Sequence, residues 1–369
     1  MDFEFSEEQE QLRETVRRFL EERAPIETVR SLLDDPRGTT DELWKGTVQL
    51  GLPGLLIPEA FGGGGGGMLE MGVVLEEMGR HLHPGPYLSS ALSAVALLRA
   101  AGTDDARERW FPALADGSLV ATVALFEAGQ RYEWRTPTLR SVDAGERCLL
   151  SGEKSFVPDL AAADVCFVTA ATDDGTGIFG VECNAAGVET LPLPSIDGTR
   201  HHGTLRLDAA EARRVDAGGA TDGIATALDF IHVGTVADGV GAATRAFELA
   251  LEYARQREQF GTTIGSFQAV QHLLTDMLTE LELGRAAAYY ALWAADADPD
   301  DRRRTSILAK AFACQAFPRI AEDAIQIFGG VGYTWEYDIH LYYKRLLTLR
   351  HTFGGVTESL DELASIILD

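Results

Sequence analysis

Apolar residues recur at helical spacing toward both ends of the chain and alternate over short spans in its middle. Leu12, Val16, Phe19 and Leu20 form one stripe, the repeat of a helix that buries a single face. Ser6-Glu7-Glu8-Gln9 ahead of it reads as a capping box, each side chain satisfying the other residue's backbone donor. Gly51 to Pro58 reads as a short apolar crossing, and helical patterns resume over Met68–Arg80, Tyr87–Ala101 and Ala106–Ala115. Residues 1–118 therefore read as an all-helical domain. From Leu119 the pattern changes. Val120–Leu125, Cys148–Leu150, Ser155–Val157, Val165–Thr169, Ile178–Val181 and Thr204–Leu207 are strand-like spans split by Gly, Asp and Pro. They predict a small antiparallel barrel or sandwich over 119–220. From Thr221 to the end at 369 the pattern is helical again. Val236, Val240, Ala243, Phe247, Ala250, Leu251 and Ala254 lead into Arg257. A second helix starts at Ser266, with Phe267, Val270, Leu274, Met277 and Leu281 on one face. A third carries Ile307, Ala311, Ile320, Ala324 and Ile327 and stops at Gly329-Gly330. The fold class is α+β, with domains 1–118, 119–220 and 221–369.

The composition narrows the function. With 369 residues, 46% hydrophobic and 24% charged, the chain has the makeup of an ordinary globular protein that buries a sizeable core. A net charge of −25 argues against nucleic acid and against anionic membrane surfaces as partners. An anionic ligand must then rely on local arginines. Cys148, Cys166, Cys183 and Cys314 lack CxxC spacing, so free buried thiols are expected, with no zinc site or disulfide framework. His81 and His83 stand two apart and would not share a helix face, so no metal site is expected. Met1-Asp2-Phe3-Glu4-Phe5 carries no apolar signal core, and no uninterrupted apolar run reaches the ~20 residues that span a bilayer. The expectation is a cytoplasmic protein. The Gly62–Gly67 run lacks the Lys-Ser/Thr ending of a phosphate loop and reads as a flexible turn.

The candidate chemistry lies between Arg255 and Tyr343. Arg255-Gln-Arg-Glu-Gln-Phe-Gly261 continues through Ile264-Gly-Ser-Phe-Gln268, and far downstream stands Gln326-Ile-Phe-Gly-Gly330-Val-Gly-Tyr333. Glycines at helix ends let a ligand approach the backbone. Arginine brings a fixed fork of donors suited to phosphate. These residues suggest an anion-binding corner made by helix ends.

The pair of motifs resembles the C-terminal helical domain of acyl-CoA dehydrogenases, and the likeness in order and length covers nearly the whole chain. The resemblance implies an N-terminal helical domain, a middle β domain and a C-terminal four-helix bundle. It also implies an FAD cofactor shared between subunits, an acyl-CoA substrate and homo- or hetero-oligomers. In that family the corner binds the pyrophosphate and adenosine end of FAD, which gives Arg257, Phe260, Gln268, Gln326, Gly329 and Gly330 as the cofactor-binding set.

The resemblance breaks where the reaction should be. A glutamate removes the substrate's α-proton in the family, and its usual position, counted from Gly329, falls on Phe353. A minority position at the start of the helix leading to Arg257 falls on Ile231. Asp229, Asp238 and Glu358 lie near but out of register, and His351 beside Phe353 is the histidine to test as a substitute base. The Trp-Ile/Val-Thr/Ser motif that holds the flavin ring is represented by Lys154-Ser-Phe-Val-Pro-Asp159, with Pro158 at the hydroxyl position. A proline can donate from neither side chain nor backbone nitrogen. The loop before it is reduced to Phe126-Glu-Ala-Gly-Gln130. This combination is similar to the glutamate-less subunit of mixed heterotetramers in actinobacterial sterol side-chain breakdown. Its Gly-Gly-x-Gly-aromatic-Thr-Trp-Glu segment is here Gly329 to Tyr337. The first expectation is a subunit without a catalytic residue of its own that completes a partner's FAD site for dehydrogenation of a bulky acyl-CoA. A self-sufficient flavoenzyme with another base, and a structural paralogue that binds no flavin, are the alternatives.

Overall fold

The structure, a computed structural model, describes residues 5–143 and 147–368; the reading of Met1–Glu4 lies outside them. Compact packing groups the chain into two units. One comprises the chain up to Val29, Gly72–His83 and His232 onward; the other comprises Arg30–Met71 and Pro84–Ile231.

The second unit is built on a barrel. Helices α1 (Glu7–Arg23), α2 (Ile26–Ser31), α3 (Asp41–Gln49), α4 (Met68–Arg80), α5 (Val95–Ala101) and α6 (Asp104–Ala115) precede its strands in sequence. The capping box forms as read: Ser6 Oγ accepts from the Gln9 nitrogen at 3.2 Å and Gln9 Oε1 accepts from the Ser6 nitrogen at 3.0 Å. The Tyr87–Ala101 pattern is two structures. Leu88–Ala94 is a buried π-helical stretch, widened where Ser93 Oγ donates back five residues to the Leu88 carbonyl at 2.9 Å. The glycine run is a pinned turn and not a flexible one. The nitrogens of Gly63, Gly64, Gly65 and Gly66 donate to the carbonyls of Pro58, Gly54, Ile57 and Leu55.

The strands are β1 (Ala121–Ala124), β2 (Arg140–Asp143), β3 (Cys148–Pro158), β4 (Val165–Thr172), β5 (Gly175–Glu182), β6 (Val188–Leu193) and β7 (His202–Arg214). Strands β4, β2, β3, β7 and β5 close on themselves because β5 pairs with both β7 and β4. Two pairings on β4, with β1 and with β2, are parallel, so the barrel is mixed and not wholly antiparallel. Leu150, Val157, Cys166, Val168, Phe179, Val181 and Leu205 fill its interior. The two strand-like spans at 148 and 155 are one long strand. Its register on β7 shifts between Lys154 and Val157, and such a bulge re-aims a side chain.

The first unit holds α1, most of α4, α7 (Thr221–Gln256) from His232 onward, and the helices α8 (Gln268–Ala297), α9 (Arg302–Phe328), α10 (Ile339–His351) and α11 (Val356–Leu368). The implied bundle of four therefore carries a fifth helix, α11. A tight hairpin of β8 (Glu258–Gln259) and β9 (Thr262–Thr263) joins α7 to α8. Helix α8 starts at Gln268 and not Ser266, because Ile264–Ser266 form a 3₁₀ turn. Helices α4 and α7 cross in backbone contact: a Cβ at Gly241 would fall 1.8 Å from the Glu76 carbonyl oxygen. Arg345, buried in this unit, pairs with the buried Asp238 at 3.3 Å. Cys148, Cys166 and Cys314 are buried free thiols, while Cys183 is only partly buried. Among the described residues no helix is long and apolar enough to cross a membrane.

Candidate functional site

Three helix ends meet in the first unit. Tyr253, one turn before Arg257 on α7, stacks on Phe328 at the end of α9 with ring centroids 4.3 Å apart and 15° between planes. Tyr337 meets both rings edge-on. This aromatic cluster holds the C-terminus of α7 beside Gly329. The start of α8 joins them, where a Cβ at Gly265 would lie 2.9 Å from the Ala254 carbonyl. Five of the six sequence-predicted residues, Arg257, Gln268, Gln326, Gly329 and Gly330, are exposed at this meeting point. Phe260 is not core either. It is 92% exposed at the hairpin tip, in the left-handed region with φ of 54°, against the edge of Phe267.

Helix ends are not electrically alike. Helices α7 and α9 finish here, so both present carbonyls and partial negative charge; only α8 begins here. Its N-cap position is Phe267, which has no side-chain acceptor to cap the first backbone N–H groups. The donors for an anion are thus the start of α8 and the Arg257 guanidinium, while the other two ends suit hydroxyl donors. Gly329, with φ of 67° and ψ of −146°, occupies backbone space that side chains avoid. A Cβ at Gly329 or Gly330 would meet nothing within 4 Å. This open, donor-bearing corner fits the pyrophosphate and ribose portion of FAD.

The expected base positions carry no carboxylate. Phe353 is buried between α10 and α11 with φ of 57°, an uncommon conformation for a bulky residue. Its carbonyl accepts from His232 Nε2 at 2.9 Å. Lys310 Nζ donates to the carbonyls of Leu349 and Thr352 at 2.7 and 2.9 Å, closing the end of α10. Ile231 is buried. The nearby acids in this unit are engaged: Asp238 pairs with Arg345, and Glu358 accepts from the Gly355 nitrogen at 3.2 Å as a cap on α11. Asp229 is buried. His351 is exposed at the end of α10, its pKa held below the ordinary histidine value by partial burial and by Arg350 and Lys310.

His232 and Lys310 are the residues that sequence reasoning passed over. The available signal was position: His232 directly follows Ile231. Burial drives the His232 pKa down to about 4, helped by the Lys310 charge. The imidazole is therefore neutral, with its proton on the nitrogen facing the carbonyl.

In the barrel unit, the bulge turns Phe156 outward, 62% exposed with φ of 56°. Pro158 is buried, and its carbonyl accepts from Thr122 Oγ at 2.5 Å. The hydroxyl expected at this position has no substitute on Pro158. Glu127 is a buried structural carboxylate. It takes Lys154 Nζ at 2.8 Å, the nitrogens of Thr138 and Leu139, and the Thr138 hydroxyl. Burial alone would raise its pKa, but these donors hold it down at about 2. Burial likewise lowers the Lys154 pKa; with four donors turned on the carboxylate, the ionised pair is the form the geometry supports.

Profiles described as the acyl-CoA dehydrogenase N-terminal and C-terminal domains match residues 6–118 and 221–364. The acyl-CoA dehydrogenase IpdE2 of Mycolicibacterium smegmatis is 31% identical over 359 residues, 97% of this chain and 98% of its own. The Tcur3481–Tcur3483 steroid ACAD variant superposes with a TM-score of 0.90 at 31% identity, covering 98% of each chain. The ChsE4–ChsE5 complex from Mycobacterium tuberculosis gives 0.88 at 29% identity, covering 100% of this chain and 99% of the other. With its helical, barrel and helical segments in that order, the chain belongs to the acyl-CoA dehydrogenase family, whose cofactor is FAD.

Proposed function

We propose that this chain is the subunit of an acyl-CoA dehydrogenase assembly that completes a partner's FAD site and does not itself remove the substrate's α-proton. The observation that carries this reading is Phe353, the residue on which the glutamate position falls when counted from Gly329. Asp238 and Glu358 are already committed to Arg345 and to the start of α11. The absence of a donor at Pro158 supports the same asymmetry from the barrel side.

Bound FAD supplies the acceptor for the hydride that leaves the β-carbon of an acyl thioester. Toward that cofactor, Arg257 and the first N–H groups of α8 neutralise pyrophosphate oxygens, and Gln268 and Gln326 offer amides. Gly329 and Gly330 leave the backbone open to approach, and Phe260 offers an exposed ring at the hairpin tip. Within the proposed three-domain order, 1–118, 119–220 and 221–369, the last domain also carries the association. The ChsE4–ChsE5 complex and the steroid ACAD among the similar structures support a heteromer acting on a bulky, steroid-like acyl-CoA. The test is to purify the chain alone and co-expressed with a similar-length subunit that retains the glutamate. Yellow protein and turnover only with the partner support the proposal. A yellow, active homomer, or colourless protein in both preparations, contradicts it.

A further inference from the structure

A hollow of about 170 Å³ opens on the barrel unit. Helix α6 contributes Arg109 and Trp110, β5 contributes Gly180, and β7 contributes Glu211 and Arg213; Arg147 stands at the start of β3. The indole is a buried wall. It packs edge-on against Phe167 at 5.8 Å, and Gly180 makes room for it, since a Cβ there would meet Trp110 Cζ2 at 3.2 Å. The Arg109 guanidinium lies 5.0 Å from the indole centroid, which fixes a flexible cation over a rigid surface.

The charge of this place runs against the chain. Acidic side chains outnumber basic ones by 57 to 32 overall, yet three arginines rim the hollow against two carboxylates, Glu182 and Glu211. Glu211 is taken by Arg147. Arg109 and Arg213 are exposed and make no ion pair among the described residues. Arg109 and Arg213 thus bring two guanidinium forks to one concavity beside the single remaining carboxylate, Glu182, and guanidinium forks match the oxygens of phosphate. We propose that this hollow is a binding site for a phosphate-bearing small molecule, held by Arg109 and Arg213.

The site is tested on the full chain by calorimetric titration with inorganic pyrophosphate at low ionic strength, following indole fluorescence in parallel. Saturable one-to-one binding that weakens with added salt is expected. It should fall at least tenfold in the Arg109→Ala/Arg213→Ala double variant and persist in Arg257→Ala, which separates this hollow from the cofactor corner. Both arginines are exposed, so the double variant should keep the parent melting temperature. No saturable binding, or equal binding by the double variant, would overturn the proposal. Binding lost only in Arg257→Ala would overturn it too, by assigning the anion to the corner.

Discussion

The His232 imidazole donates from Nε2 to the carbonyl of Phe353 at 2.9 Å, tying the helix that begins at Thr221 to the turn between α10 and α11. One residue follows Ile231 and the other is Phe353, the two positions on which the resemblance, counted from the glycine motifs, would put a base. The link is backbone-directed, so it holds the turn whatever side chain stands at 353. Its pH dependence has a definite sign. Unfolded, the imidazole titrates near 6.5; folded, near 4. The unfolded chain therefore takes up a proton that the folded chain refuses. The stabilisation is complete above pH 6.5 and is lost as pH falls toward 4, amounting to about 3 kcal/mol. His232→Gln keeps a donor but cannot titrate. Urea unfolding from pH 7 to 4.5 should show a shallower loss of stability in that variant than in the parent.

Lys154 and Glu127 form a second test, within the barrel. Lys154→Met leaves a carboxylate buried with only neutral donors, which costs about 3–5 kcal/mol when one partner of a buried pair is removed. Thermal unfolding should show a large drop for Lys154→Met. Replacing both residues, Lys154→Met with Glu127→Leu, should recover part of it.

The cofactor corner separates fold from binding. Gly330 has room for a Cβ, so Gly330→Ala should change stability by no more than about 1 kcal/mol. Arg257→Ala, at an exposed position, should be equally silent in thermal unfolding. Both should reduce the FAD retained by the co-expressed complex after gel filtration, the arginine change more strongly at high salt-free affinity than the glycine change.

His351 gives a negative control for chemistry. It is exposed beside the turn, and if it acted as the base, His351→Gln would remove most of the activity. The account predicts turnover by the complex within a factor of two of the parent, measured with the same acyl-CoA and an artificial electron acceptor.

The element order was legible because the period of the apolar residues changes twice, at Leu119 and at Thr221, and Ser6 and Gln9 announce their cap directly. What the sequence hid has physical causes. The π-helical turn at Leu88–Ala94 depends on Ser93 bonding five residues back, which leaves no mark on periodicity. The parallel pairings of β4 join segments far apart in the chain. The glycine run looked free because glycine lacks side chains, yet its nitrogens are anchored on residues 54–58. The motif points to the residues of the corner, but the difference between helix starts and helix finishes there depends on the directions of α7, α8 and α9, which the motif does not carry. His232 escaped notice because its partner is a carbonyl, which every residue has.

The most direct measurement is the flavin spectrum of the purified chain, alone and with a glutamate-bearing partner, followed by reduction with acyl-CoA under anaerobic conditions. The account predicts no flavin absorbance alone, and bleaching by substrate in the complex that Arg257→Ala in this chain diminishes. A flavin band in the lone chain that acyl-CoA bleaches would contradict it.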